Sequence, residues 1–332
     1  MSPGIADGQP DALDLLTAYQ HSAVVAAATL TGVADAMAAG ESDSVALAST
    51  LSLDPRAVRA LLGSMVALGL AEAKGGGHVL SETGAPLATD HPRSIAAIVG
   101  KEWFFYKVWG ELPAAMVDGH ARVDPWQMRL GDDPEQALGF LRALDDLAGL
   151  FGDELPGLSG ITDGGTLLDV GGASGSHSAY LIAAVDGIEA TVLDLPEVGV
   201  LVEERHPEVS FVAGDLDQPR FGLAEGQQWD IVLLANILHD HPPAKCRELL
   251  ASAFELVRPG GRIVLYEWVL DDNRDEPPAV ALFALMMMVE NEGGNSYTES
   301  ELRGWLEETG FAGVELRRGF GPIAGVSAVR PE

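Results

Sequence analysis

The residues best suited by type to move a proton are His239, Asp240 and Glu267. Imidazole is the side chain whose pKa lies nearest neutrality, so a histidine can take up a proton and return it at physiological pH. His239 follows the apolar run Trp229 to Leu234, which predicts a strand, and Glu267 closes the next predicted strand, Arg262 to Glu267. A carboxylate at that neighbouring tip could accept a hydrogen bond from one ring nitrogen and leave the other as the base. By itself a histidine at a strand end is most often structural. Asp240 beside it, Glu267 one strand away and a ligand-binding turn nearby favour catalysis. His241 raises the question of a metal, but alternate residues of an extended segment point to opposite sides and no spaced partner histidine follows, so no metal is assigned.

The ligand-binding turn is Thr166-Leu167-Leu168-Asp169-Val170-Gly171-Gly172-Ala173-Ser174-Gly175, which reads as a buried parallel strand running into a tight turn that opens a helix. Gly171, Gly172 and Gly175 let a ligand lie against bare peptide groups, where a Cβ would hold it off. In open α/β sheets that ligand sits at the carboxyl ends of the strands. A dinucleotide fingerprint needs glycines in the first, third and sixth places, and a frame starting at Gly171 puts Ala173 and Ser176 in the other two. Acids stand at three predicted strand tips instead: Asp169, then Asp194 after Ala190 to Leu193, then Asp215 after Phe211 to Gly214. An acid at the second tip accepts hydrogen bonds from ribose hydroxyls. Three such acids suit a ligand with an ammonium, a ribose and an adenine amino group, and would repel phosphates. S-adenosylmethionine (SAM) combines those features.

The elements that must position these groups follow from length and pattern. With 332 residues two domains are expected: 1–160, mostly helical, and 161–332, where strand and helix patterns alternate as in a largely parallel sheet covered on both faces. Residues 1–10 are expected to fray, and 11–39 carry one helical apolar stripe. Ser44 is expected to cap the helix 45–51, and Asp54-Pro55 to open the helix 56–68. Leu70 to Ala73 and His78 to Leu80, joined through three glycines, read as a hairpin, so the whole reads as a winged helix-turn-helix. Its second helix offers only Arg56 and Arg59 to a phosphate backbone, which favours a structural module over a DNA reader. The stretch 95–116 holds Trp103, Phe104, Phe105, Tyr106 and Trp109, and both packing and substrate contact remain open for it. A helix over 134–150 leads to the boundary.

Acids outnumber bases by 50 to 20, and the net charge of -30 argues against nucleic acid or an anionic membrane as a partner. The single cysteine, Cys246, excludes an intramolecular disulfide and makes the reducing cytoplasm the expected compartment. No positively charged start precedes an apolar segment, so no signal peptide is expected. The apolar stretch 22–40 is broken by Thr29, Thr31 and Asp35, as in a packed helix rather than a membrane span.

Taken together, Leu168 to Gly175, Val192-Leu193-Asp194-Leu195-Pro196, Ala213-Gly214-Asp215, Ile237-Leu238-His239-Asp240, Pro259-Gly260-Gly261 and Glu267 resemble the motifs of the SAM-dependent small-molecule O-methyltransferases of plant type, which actinobacterial natural-product pathways also use. The N-terminal helices and wing are similar to that family's dimerisation domain, so the resemblance covers nearly the whole chain. It implies an α/β, Rossmann-like class I methyltransferase domain preceded by a mostly α-helical winged-helix dimerisation domain. It also implies a homodimer whose interlocked N-terminal domains help to close each active site. Carried over, Asp169, Gly171 and Gly172 would hold the methionine end of SAM, Asp194 the ribose, and Asp215 with Leu216 the adenine side. Gly175, Leu195, Gly214 and Asn236 stand in or beside those motifs and are assigned to the cofactor with them. His239 matches the general base and Glu267 its orienting acid, with Asp240 assigned to the same catalytic group. Asn291 and the Met286 to Met288 run, Met287 at its centre, fall where family members line the acceptor pocket, and Trp103 and Tyr106 are assigned there too. Two positions depart: Ser296 stands where the family usually has a second acid, and Ala235 where it usually has a basic or polar residue.

Methyl transfer from a sulfonium needs a nucleophile in line with the S–CH3 bond, and a hydroxyl acceptor must lose a proton. A phenol has a pKa of about 10, so ionising it at pH 7 costs about 3 units, roughly 4 kcal/mol. A positioned base contributes about 10²- to 10⁴-fold, which is of that size, and near-attack geometry supplies much of the rest. The expected activity is methylation of a phenolic hydroxyl of a natural-product intermediate. Ser296 motivates a rival with the same fold that methylates carbon or nitrogen, or uses SAM without transferring methyl. A more distant rival is a winged-helix regulator that senses a metabolite and binds DNA.

Overall fold

The computed structural model describes residues 11–332 other than 126, 127, 130 and 131, so the tail expected over 1–10 lies outside the described residues. Packing divides the chain into two units, Met1–Tyr106 and Lys107–Glu332. In the first, the single stripe expected over 11–39 is three helices, α1 (Ala12–Thr17), α2 (Tyr19–Leu30) and α3 (Val33–Ala38). Gly32, at φ 75°, turns the chain between the last two. Helix α4 (Ser44–Thr50) is capped by Asp43 rather than by Ser44, because the Asp43 carboxylate reaches the N–H groups of Val45 and Ala46 at 2.9 Å. Asp54 caps α5 (Pro55–Ala67) as expected. An antiparallel ladder follows, β1 (Ala71–Lys74) with β2 (Gly77–Leu80), paired from Ala71 opposite Leu80 to Lys74 opposite Gly77. Val58, Leu62 and Met65 of α5 pack with Ala28, Val33 and Leu47, and α6 (Ala96–Trp109) begins in this unit.

The second unit continues with α7 (Leu112–Asp118), α8 (Pro134–Phe151), α9 (Leu155–Ser159), β3 (Gly165–Val170), α10 (Ser176–Ala184), β4 (Ile188–Asp194), α11 (Gly199–Arg205), β5 (Ser210–Ala213) and β6 (Trp229–Ala235). It closes with α12 (Pro243–Leu256), β7 (Val257–Glu267), α13 (Pro278–Glu290), α14 (Glu299–Thr309), β8 (Ala312–Arg318) and β9 (Ala324–Val329). This unit begins well before residue 161, where sequence pattern set its boundary, because α9 is bound to the sheet. Arg262 of β7 donates to the Gly160 carbonyl at 2.7 Å, and a Cβ on Gly325 of β9 would stand 2.2 Å from the Leu158 carbonyl oxygen.

The sheet runs β5-β4-β3-β6-β7-β9-β8, with β3 to β7 parallel and β9 antiparallel to both β7 and β8. Alternate strand residues feed two cores. Leu168, Val170, Val232, Leu234, Ile263 and Leu265 face α12 and α14 on one side. Leu167, Ile231, Leu233, Val264 and Tyr266 face Leu155 and Leu158 of α9 and Leu181 of α10 on the other. Strand order reverses between β3 and β6, the point beyond whose carboxyl ends open α/β sheets bind their ligands. Both candidate motifs, the glycine turn after β3 and His239 after β6, lie at that point.

Candidate active site

The turn after β3 is tight enough to exclude side chains. Gly171 sits at φ 70°, and a Cβ there would stand 2.4 Å from Ile237 Cδ1, which also shows how closely the turn approaches the end of β6. A Cβ on Gly172 would lie 2.7 Å from the carboxyl carbon of Asp169. Gly175, at φ 88°, opens α10. Asp169 is fully buried; one carboxylate oxygen accepts from the Ser178 hydroxyl at 2.8 Å and the other has no hydrogen-bond partner among the described residues. Burial pushes this carboxyl up to about 7 against the pull of Ser178, and nearby Asp194 adds to the rise. Asp194 accepts from the backbone N–H of Ala173 at 2.9 Å and of Leu195 at 2.7 Å, yet burial still lifts it to about 6.

Gly214 donates to the Asp194 carbonyl, which joins the second and third acidic tips, and Asp215 binds the N–H of Asp217 at 2.9 Å. The Leu216 carbonyl accepts from Lys245 of α12 at 3.0 Å. Asn236 stands at φ 58°, a region costly for a residue with a Cβ, and its side-chain oxygen is buried with no partner among the described residues. Bare peptide, raised carboxyls and two orphaned acceptor oxygens fit a ligand that brings donors and a positive charge, as SAM does. The residues assigned to the cofactor thus stand at the tips of the adjacent strands β5, β4, β3 and β6.

Strand register brings His239, Asp240 and Glu267 together. Ala235 pairs with Tyr266, so Glu267 stands beside the chain leaving β6. One Glu267 oxygen accepts from the N–H groups of Ile237 and Leu238 at 2.8 and 2.7 Å, and the other meets His239 Nδ1 at 2.7 Å. This places the Nδ1 proton toward Glu267 and leaves Nε2 3.5 Å from an Asp240 oxygen. That Asp240 oxygen in turn accepts from Asn291 Nδ2 at 2.6 Å. Burial would lower the His239 pKa, but the Glu267 and Asp240 carboxylates outweigh it and carry it up to about 9. Burial also lifts Asp240 to about 6, with His239 and Arg129 opposing.

Asn291, bonded to the Asp240 oxygen that faces His239, has its Nδ2 3.9 Å from Sδ of the buried Met287. Trp103 and Tyr106 belong to the first unit, where their rings stack at 4.6 Å. Sequence pattern missed three residues around His239 and Asp240. Phe283 packs edge-on against the His239 ring at 4.9 Å, Trp268 stacks on Phe283 at 4.2 Å, and Arg129 lies 3.9 Å from Glu290 and acts on Asp240. Phe283 sits four residues before Met287 on one helix face, and that spacing was the available signal. Ser296 is wholly buried with its hydroxyl unpartnered among the described residues. Among the described residues no three His, Cys, Asp or Glu side chains are arranged to hold a metal, and no helix is long and apolar enough to cross a membrane.

A sequence family described as an O-methyltransferase domain matches residues 109–312. The tetracenomycin polyketide synthesis 8-O-methyl transferase of Streptomyces glaucescens is 30% identical over 290 residues, which cover 83% of this chain and 83% of that protein. The 3-hydroxy-5-methyl-1-naphthoate 3-O-methyltransferase of Streptomyces sahachiroi is 28% identical and covers 95% of this chain and 94% of its own length. Among solved structures, human N-acetylserotonin methyltransferase in complex with SAM matches with a TM-score of 0.84 over 99% of this chain and 100% of that one, at 24% identity, a likeness of fold.

Proposed function

Since the chain belongs to the O-methyltransferase domain family and is a SAM-dependent methyltransferase, we propose that it methylates a phenolic hydroxyl of a natural-product intermediate, with His239 as general base. The observation that carries the reading is the His239–Glu267 pair, set at 2.7 Å beside the glycine turn. Bound SAM supplies a methyl group on a sulfonium sulfur. Asp169, Gly171, Gly172 and Gly175 hold its methionine end, Asp194 and Leu195 the ribose, and Gly214, Asp215, Leu216 and Asn236 the remainder. His239 Nε2 would take the acceptor's proton, while Glu267 holds Nδ1–H and stabilises the imidazolium that results. With a pKa near 9 the imidazole lies about one unit below a phenol, so proton transfer is nearly balanced. Asp240, steadied by Asn291, faces the same proton, and Met287 bounds the acceptor. Relatives named for polyketide and naphthoate methylation support an aromatic hydroxyl as the target.

The functional division is drawn at 160/161, with a cofactor domain after it. In the N-terminal part, α4, α5 and the β1–β2 ladder serve as a winged helix in a dimerisation domain, and Trp103 and Tyr106 contribute to the acceptor pocket. The exposed apolar side chains of Leu13, Leu15 and Leu16 on α1 support a partner subunit. A His239→Ala variant tests the base. It should bind SAM as the parent does and lose about 10²- to 10⁴-fold in turnover; an unchanged rate removes the assignment. Product mass and NMR on the methylated atom separate oxygen from carbon or nitrogen.

A further inference from the structure

A polar network outside the proposed catalytic group ties helix α8 to the glycine turn. Ser174, within the turn and 2% exposed, donates its hydroxyl to Asp145 Oδ1 of α8 at 2.6 Å. The same oxygen receives His206 Nε2, just past α11, at 3.2 Å, and Arg205 Nη1 lies 3.7 Å from the other oxygen. The Asp145 side chain is 10% exposed, so these contacts are shielded from water and stronger than surface pairs. Despite burial its carboxyl stays below the ordinary range, because His206, Ser174 and Arg205 favour the charged form. An apolar seam runs alongside. Leu138, Leu141 and Leu144 of α8 pack with Ala173, Leu195, Val198 and Leu201, two of which flank the strand-end acids. Ala173 is held at φ 49°, and its N–H is the donor to Asp194. A strained backbone of that kind persists only where its surroundings over-determine it.

We propose that Asp145 is a positioning residue for the cofactor: through Ser174 it clamps the glycine turn, keeping Ala173 in its left-handed conformation and its N–H on Asp194. The carboxylate touches no reacting atom. It acts on SAM affinity and leaves the acceptor and the base alone. This rests on the reading that the turn cradles SAM. Loss of Asp145 should therefore raise the Kd and KM for SAM, with the KM for the acceptor unchanged. Helix α8 also makes an exposed bridge to α11, Arg142 to Glu204 at 3.0 Å, which does not involve the turn and serves as a control.

The test is calorimetric titration of SAM into the full-length protein and its Asp145→Asn, Ser174→Ala, doubly substituted and Arg142→Ala variants, each first checked for a native circular dichroism spectrum. A charged hydrogen bond of this kind corresponds to a loss of about tenfold in affinity. Asp145→Asn and Ser174→Ala should each weaken SAM by about tenfold, the double variant by little more than either, and Arg142→Ala by less than about twofold. Additive losses in the double variant, or unchanged SAM affinity in Asp145→Asn, overturn the proposal. Should Asp145→Asn not fold, Ser174→Ala alone decides it by the same tenfold criterion. A parent protein that binds no SAM would instead remove the cofactor reading beneath it.

Discussion

Two carboxylates face the two nitrogens of His239, and this sets the pH at which the residue can act. Burial alone would make it a weaker base; Glu267 and Asp240 reverse the sign. Because the pKa is raised, the neutral base predominates only above about 9, so kcat/KM should climb with pH through that range. Glu267→Gln removes the larger favourable charge while keeping an oxygen for the Ile237 and Leu238 amides. The rising limb should move at least about one unit toward lower pH. The maximal rate should fall by about 10²-fold or more, since an amide cannot stabilise the imidazolium. A pH–rate profile checks both, and an unmoved limb would sever Glu267 from the base. The same shift makes the pair stabilise the fold at pH values below 6.5, a contribution lost as pH rises through about 9.

The strand-to-helix turn is the element proposed to hold the cofactor, and its glycines differ in what they do. Gly171 is required by its positive φ and by Ile237, whereas Gly172 is required by the Asp169 carboxylate alone. Gly172→Ala would drive a methyl group into a buried acid with nowhere to go. Overpacking of this kind costs about 1–3 kcal/mol, so thermal unfolding should drop by several degrees and SAM affinity by about tenfold or more. Thermal melts with and without SAM would measure both. A variant with parental melting and affinity would mean that the turn is looser than its geometry implies. Strand, turn and capping signals were legible here because they are local: Asp54 and the glycines act on backbone within a few residues of themselves. The Asp43 cap went to the wrong residue because the neighbouring Ser44 is as good a capping type.

At the scale of the molecule, charge and exposed apolar surface make the predictions. A net charge of -30 should prevent retention of duplex DNA in a gel shift at about 0.1 M salt, the outcome that separates an enzyme from a winged-helix regulator. Leu13, Leu15, Leu16 and Tyr19 are each more than half exposed on the N-terminal helices. Sedimentation equilibrium should give twice the chain mass of 34.9 kDa. Leu16→Glu should shift the equilibrium toward monomer, and a monomeric parent protein would remove the dimer altogether.

The Rossmann-like α/β class of the second unit, the strand-end acids, the glycine turn and the pairing of His239 with Glu267 could be read from sequence, because buried parallel strands announce themselves as apolar runs and their tips must converge. Tertiary structure alone decided that one Glu267 oxygen would hold two backbone amides and the other the imidazole. It also decided that Phe283 would pack on His239 and Trp268 on Phe283, that Asp145 would reach Ser174, and that the helix Leu155–Ser159 would pack with the sheet. Those contacts join residues tens of positions apart, so they depend on how helices pack over the sheet, for which local pattern carries no information.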